Sequence, residues 1–253
     1  MISEACMLSQ QQINQFFDQG FLIFEDMFSQ AEIKEMLHYF DHLQNMALLC
    51  KETTTTAAGT NFVMTGPRID RVVWCAGECP ELLEVSQDPR ILAPVSELLG
   101  STEMVQLICQ AHYKLPGDNL SFQWHQDSNN REEGTSLWTD INGKGSFVQT
   151  AIAIDQMTEN NGPIMFVPGS SKQGHIDLIQ HPERFNSETA KIVTPLLNPG
   201  TAIMFHPWVI HGSTANQSEK PRRVFINGYA YPGANRKTYP GCGTGRTTIY
   251  EGE

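Results

Sequence analysis

"EMVQLICQAHYKL", residues 103–115, is the stretch that decides the fold. Its polar and apolar residues alternate: Gln106, Ile108, Gln110, His112 and Lys114 share one face of a period-two pattern, which is the repeat of a strand. The texture after it stays β-like. "SFVQTAIAID" (146–155), "GPIMFVPGS" (162–170), "GTAIMFHPWVIHGST" (200–214) and "RRVFINGYAY" (222–231) are further β runs parted by Gly, Pro and Asn. The texture before it is helical. Ser9 caps a short helix over 8–19 that Gly20 ends, and "FLIFEDMF" follows as a short strand. Ser29 and Glu32 form a capping box ahead of Ile33, Met36, Leu37, Phe40 and Leu43 at helical spacing. "CPELLEVSQDPRILAPVSELLGS" predicts two short helices broken near Asp88-Pro89 and ended by Gly100. The polar stretch 50–66, "CKETTTTAAGTNFVMTG", reads as a loop or mobile segment. Helices first and strands later predict a helical layer packed on a mainly β core. We expect one domain over 1–253, helical over about 8–100 and β-rich over about 103–232.

Composition narrows the function. With 17 basic and 28 acidic residues the net charge is −11, which disfavours nucleic acid as a partner. No apolar run approaches the roughly 20 residues of a membrane helix. "MISEACMLSQQQ" does not resemble a secretory leader, so a cytoplasmic location and six free thiols are expected. Cys75 and Cys79 read as small apolar residues, and His38 and His42 as half-exposed residues of an amphipathic helix.

Within "FQWHQDSNNREEG" (122–134), His125 and Asp127 are two residues apart. On a strand they would project from one face about 7 Å apart at roughly 3.3 Å per residue, so both could reach one cation. Two imidazoles and one carboxylate leave three positions open, the arrangement of non-haem Fe(II) oxygenases. A satisfied polar pair at a strand end is the alternative. His211 in "WVIHGST" is a candidate third ligand, and Arg222, eleven residues on, could hold a carboxylate bidentately. His175 and Asp177 form a rival pair amid loop signals, and His206 precedes a proline and is expected to pack or cap.

"WHQD" (124–127), "NNGPIMFVPGSSKQGH" (160–175) and "HPWVIHGSTANQSEKPRR" (206–223) together resemble the phytanoyl-CoA dioxygenase family, as does the opening "QQINQFFDQGFLIFEDMFSQAEIKEM". The resemblance covers nearly the whole chain and is weakest at 45–65 and after 232. It implies a double-stranded β-helix, or jelly-roll, and an Fe(II)- and 2-oxoglutarate-dependent dioxygenase using O2 as co-substrate. It implies His125, Asp127 and His211 as metal ligands, Arg222 rather than Arg223 as the 2-oxoglutarate anchor, and Ser213 as its helper. Ser171 departs from a histidine common in relatives. Related halogenases carry a small residue where Asp127 stands, so the resemblance implies hydroxylation.

Further residues are expected near the site. Gln110, His112 and Lys114 share a strand face that lines either the 2-oxoglutarate or substrate pocket or a polar exterior. Gln149, an amide in an apolar strand, is assigned to the pocket, since a buried amide needs a partner. Trp138 and Arg68 are candidate substrate residues, against loop packing and a surface salt bridge. The expected partner is a small molecule, as a monomer or homodimer. The rival functions are a non-catalytic jelly-roll binding protein and a cupin-type metal-dependent isomerase or hydrolase.

Overall fold

The computed structural model describes residues 7–239 and 246–251. Cys6 and Cys242 lie outside them, and the four cysteines within them, Cys50, Cys75, Cys79 and Cys109, are free thiols.

The elements run α1 (Gln10–Gln19), β1 (Phe21–Phe24), α2 (Gln30–Ala47), β2 (Thr54–Thr55), β3 (Asn61–Thr65), β4 (Arg68–Val73), α3 (Glu81–Ser86) and α4 (Pro89–Leu99). Then follow β5 (Glu103–Lys114), β6 (Phe122–His125), α5 (Asp127–Asn130), β7 (Phe147–Ala153), β8 (Ile164–Phe166), β9 (Ala202–Phe205), β10 (His211–Ser213), β11 (Arg222–Ala230) and β12 (Arg246–Ile249). The expected caps form. Ser9 and Ser29 each make a complete capping box, with Gln12 and Glu32. Gly20 and Gly100 close α1 and α4 in the left-handed region that glycine enters without strain. Arg90 at the start of α4 reaches Glu32 at 2.6 Å and holds its carboxyl down at about 2, which ties two helix N-termini together.

Two antiparallel sheets make the core. The large one runs β1-β9-β7-β11-β5-β4-β3-β2, with β12 also on β5, and the small one runs β6-β10-β8. The architecture is mainly antiparallel and cupin-like, with helices on the outside. Phe16, Phe40, Leu43, Ile91 and Val95 from the helices bury against Val72, Ala111, Tyr113 and Phe225 of the large sheet. The Tyr113 hydroxyl keeps a partner there by donating to the Phe40 carbonyl at 2.9 Å. No described helix is long and apolar enough to cross a membrane.

One expectation fails. The stretch 50–66 is not a loop: β2, β3 and β4 form a meander that extends the large sheet beyond β5. Its polar threonines occupy the exposed outer edge, while Phe62 and Val72, register partners on β3 and β4, are buried under the helices. An edge with one wet face needs few apolar residues, so its composition resembles a loop's.

Candidate metal centre and active-site cavity

The site begins with a strand pairing. His125 on β6 and His211 on β10 are direct register partners, and their rings lie 4.2 Å apart between centroids. Gly212, between His211 and Ser213, makes that approach possible, because a Cβ there would meet the Phe122 carbonyl oxygen at 2.9 Å. β6 then stops at His125. Gln126 is extended and Asp127 opens α5, so the two ligand side chains converge across a strand end and a helix start, not along one strand face. Gln126 holds this corner. Its amide donates to the carbonyls of Gly174 and Trp208 and accepts from the Ile176 N–H.

His125 Nε2 lies 3.9 Å from Asp127 Oδ1, and His211 Nε2 lies 4.0 Å from Asp127 Oδ2. The three residues can each offer a ligand atom within 4.8 Å of the others, the only such group among the described residues. Both imidazoles are set as metal ligands. His125 Nδ1–H donates to the Gln123 carbonyl at 2.7 Å and His211 Nδ1–H to that of Val209 at 3.0 Å, which leaves each Nε2 lone pair facing Asp127. Burial and the nearby His125 push His211 down to about 4, so it is neutral at ordinary pH. Asp127 Oδ2 is buried and has no hydrogen-bond partner among the described residues. A buried carboxylate oxygen facing two imidazole Nε2 atoms with no hydrogen between them is costly unless a cation meets it, so this set fits one divalent ion.

Adjacent arginines take opposite roles. Arg223 donates to both Asp155 oxygens, at 2.7 and 2.9 Å, and reaches Asp41. Arg222 lies on the other face of β11, buried to 3% exposure, and lines the same cavity as the triad with its Nε unpartnered. Burial lowers its pKa to about 10, which leaves it cationic and free to hold an anion. Ser213 also lines the cavity. Lys114 sits behind it, donating to Ser213 Oγ at 2.7 Å and to the Thr214 carbonyl, and burial beside Arg222 drops its pKa to about 6.

The cavity measures about 490 Å³, within the range of small-molecule sites. Gln110, His112 and Gln149 line it. His112 donates to Gln110 Oε1 at 2.8 Å, and burial next to Arg71, Arg222 and Lys114 holds it neutral. Gln149 Oε1 is buried without a partner. Two candidates lie elsewhere. Trp138 packs edge-on to Phe147 outside the lining, and Arg68 is half exposed, bonded to Asp118 and to the Gly117 carbonyl. Sequence reading missed Arg71, Arg131, Lys237 and Tyr239, all in the lining. The sequence hides Arg71, because the strand carrying it follows a stretch whose composition resembles a loop's. Arg131 stands four residues after Asp127, the one signal that could have found it.

The rival histidines are structural. His175 Nδ1 meets Ser128 Oγ at 2.8 Å, and Asp177 accepts the backbone N–H groups of Ile179 and Gln180. His206 is buried against Phe16, Phe17 and Trp208. His38 and His42 are exposed on α2. Cys75 and Cys109 pack with their sulfurs 3.7 Å apart, and burial raises the Cys75 thiol well above its usual range.

Known proteins resemble this chain in sequence and in fold. The family model of phytanoyl-CoA dioxygenase (PhyH) matches residues 16–224. Ectoine dioxygenase of Bordetella bronchiseptica is 25% identical over 243 residues, spanning 87% of this chain and 74% of that protein. L-proline trans-4-hydroxylase of Streptomyces griseoviridis is 28% identical over 167 residues, 56% of this chain and 59% of that one. Among solved structures, EctD from S. alaskensis with bound Fe superposes with a TM-score of 0.72 at 23% identity, covering 95% of this chain and 82% of that one, a likeness of fold. The chain belongs to the phytanoyl-CoA dioxygenase family and is an Fe(II)/2-oxoglutarate-dependent dioxygenase on a cupin-like fold.

Proposed function

We propose that the protein hydroxylates a C–H bond of a small molecule, with 2-oxoglutarate and O2 as co-substrates and succinate and CO2 as products. One observation carries this reading: a two-histidine, one-carboxylate cluster and a buried arginine, Arg222, unpaired among the described residues, line one cavity. Bound Fe(II) and 2-oxoglutarate would supply the oxidation, one oxygen atom of O2 entering succinate and the other the substrate. His125, Asp127 and His211 would hold the metal, and their count leaves positions open for the keto acid and O2. Arg222 would take the far carboxylate of 2-oxoglutarate, with Ser213 beside it. Lys114 donates to Ser213 Oγ, which leaves the serine's own O–H free to donate to that carboxylate. Gln110, His112 and Gln149 supply polar contacts from the large sheet. Ile108, Ile164, Ile226 and Phe205 keep the remaining wall apolar and dry.

Asp127 supports hydroxylation over halogenation, because a carboxylate there fills a position that a halide would need. The names of the relatives, which act on ectoine and proline, support a small substrate. The test is succinate release from 2-oxoglutarate with Fe(II), without Fe(II), and with Asp127→Ala. Turnover that needs both the metal and Asp127 is expected. Turnover without either, or none with both, would overturn the reading in favour of a binding protein or a cupin-type isomerase.

A further inference from the structure

The chain carries a net charge of −11, yet its cavity is cationic. Arg71, Arg131, Arg222 and Lys237 line it, and Asp127 is its only carboxylate among the described residues. Lys237 is neutralised by Glu132 at 2.6 Å. The three guanidiniums make no salt bridge among the described residues.

The cofactors do not absorb this surplus. The two charges of Fe(II) match the two of 2-oxoglutarate, and Arg222 matches Asp127. Arg71 and Arg131 remain. Arg131 is the more constrained. It is 6% exposed, and its Nε and Nη1 are buried without hydrogen-bond partners. Its guanidinium lies 4.6 Å from the Tyr239 ring centre and 5.2 Å from that of Phe147. The aromatic rings fix the fork and the Tyr239 hydroxyl shares a hydrogen bond with it, yet among the described residues Nε and Nη1 stay unmet. Nearby carboxylates are engaged: Glu132 with Lys237, Glu133 with the Trp208 indole N–H at 2.7 Å, and Asp127 with the metal cluster. Arg131 also donates its backbone N–H to the Asp127 carbonyl, which sets it one helical turn from a metal ligand. A buried guanidinium with two unmet nitrogens and no carboxylate partner among the described residues is costly in a cavity wall until an oxyanion meets it.

We propose that the substrate is a small anion whose carboxylate or phosphorus oxyanion is held by Arg131, at the end of the cavity built by α5 and Lys237–Tyr239. This rests on the oxygenase reading above, since the charge balance counts Fe(II) and 2-oxoglutarate as bound. Arg131 then fixes which carbon of the substrate faces the metal.

The probes are hexanoate, phenylacetate and L-proline, their carboxamides, and hexyl- and benzylphosphonate. Each is added to the full chain with Fe(II), 2-oxoglutarate and O2, and succinate release and thermal stabilisation are measured. Anionic probes should act and carboxamides should not, and the better of the carboxylate and phosphonate arms identifies the oxyanion. Arg131→Gln should raise the half-effective concentration of the active acid about tenfold or more. Arg131→Lys, which keeps the charge but loses the fork, should fall between, while the KM for 2-oxoglutarate stays within about twofold in both. The proposal is overturned if carboxamides match the acids, if Arg131→Gln leaves the half-effective concentration unchanged, or if no anionic probe acts on protein that turns over 2-oxoglutarate. Absence of any Fe(II)-dependent turnover in the wild type would instead overturn the oxygenase reading itself.

Discussion

The chain contains the pattern His-x-Asp twice, and the two copies do different work. In the first, His125 and Asp127 converge with His211 in one cavity wall, and among the described residues Asp127 keeps a buried oxygen without a partner. In the second, the ring of His175 meets Ser128 and the carboxylate of Asp177 caps its own turn. The second pair is satisfied and braces the first, because Ser128 follows Asp127 directly. What separates a metal site from a structural one is therefore unmet hydrogen-bonding capacity, not the tripeptide. The same holds for Arg222, which is unpaired, and Arg223, which is bound to Asp155 and Asp41.

Mutations can break these comparisons. Asp127→Ala should lower Fe(II)-dependent kcat/KM about a thousandfold or more, since it removes a charged metal ligand, whereas Asp177→Ala should leave turnover within about twofold. Steady-state succinate assays on both variants measure the contrast. Arg222→Ala should raise the KM for 2-oxoglutarate about a hundredfold, the worth of a lost charge-assisted bidentate contact. Arg223→Ala should leave that KM alone and cost about 2 kcal/mol in urea unfolding, because it strands the half-buried Asp155.

A third contrast is in pH. Burial lowers His206 from its ordinary 6.5 to about 4, although Asp140 nearby opposes the shift. Between those values the unfolded chain binds the proton that the folded chain refuses, so stability is full above about pH 6.5 and falls as the pH drops toward 4. The loss through this one residue is on the order of 3 kcal/mol. His206→Gln should flatten the slope of unfolding free energy against pH across that window, and an unchanged slope would remove His206 as its source. The smallest effect belongs to the second His-x-Asp. Asp177→Ala, which frees two backbone N–H groups at a turn, should lower stability by about 1 kcal/mol.

Much of the fold was legible because its signals are local. Capping boxes at Ser9 and Ser29, glycines at 20 and 100, and the alternation of 103–115 each act within a few residues. The strands β2 and β3 were not legible. They form a one-sided edge whose partner, β4, gives no local cue. In the site, His125, Asp127 and His211 were legible by spacing and family resemblance. The corner at Gln126 was not, since a strand ending in a helix start looks the same in sequence as a continuing strand. Trp138 and Arg68 were drawn toward the pocket by residue type alone, and tertiary packing turned them elsewhere. The unpaired state of Arg71 and Arg131 was not legible for the converse reason: whether a charge is paired depends on segments distant in the chain.

The most direct test of the central claim is the visible absorption that develops when a keto acid chelates Fe(II), recorded without oxygen as 2-oxoglutarate is added. The wild type should develop the band, Asp127→Ala should not, and Arg222→Ala should need about a hundredfold more 2-oxoglutarate to reach it. A wild type with no band at saturating Fe(II) and 2-oxoglutarate, or an Asp127→Ala protein whose band equals it, would contradict the assignment of His125, Asp127, His211 and Arg222 to one working site.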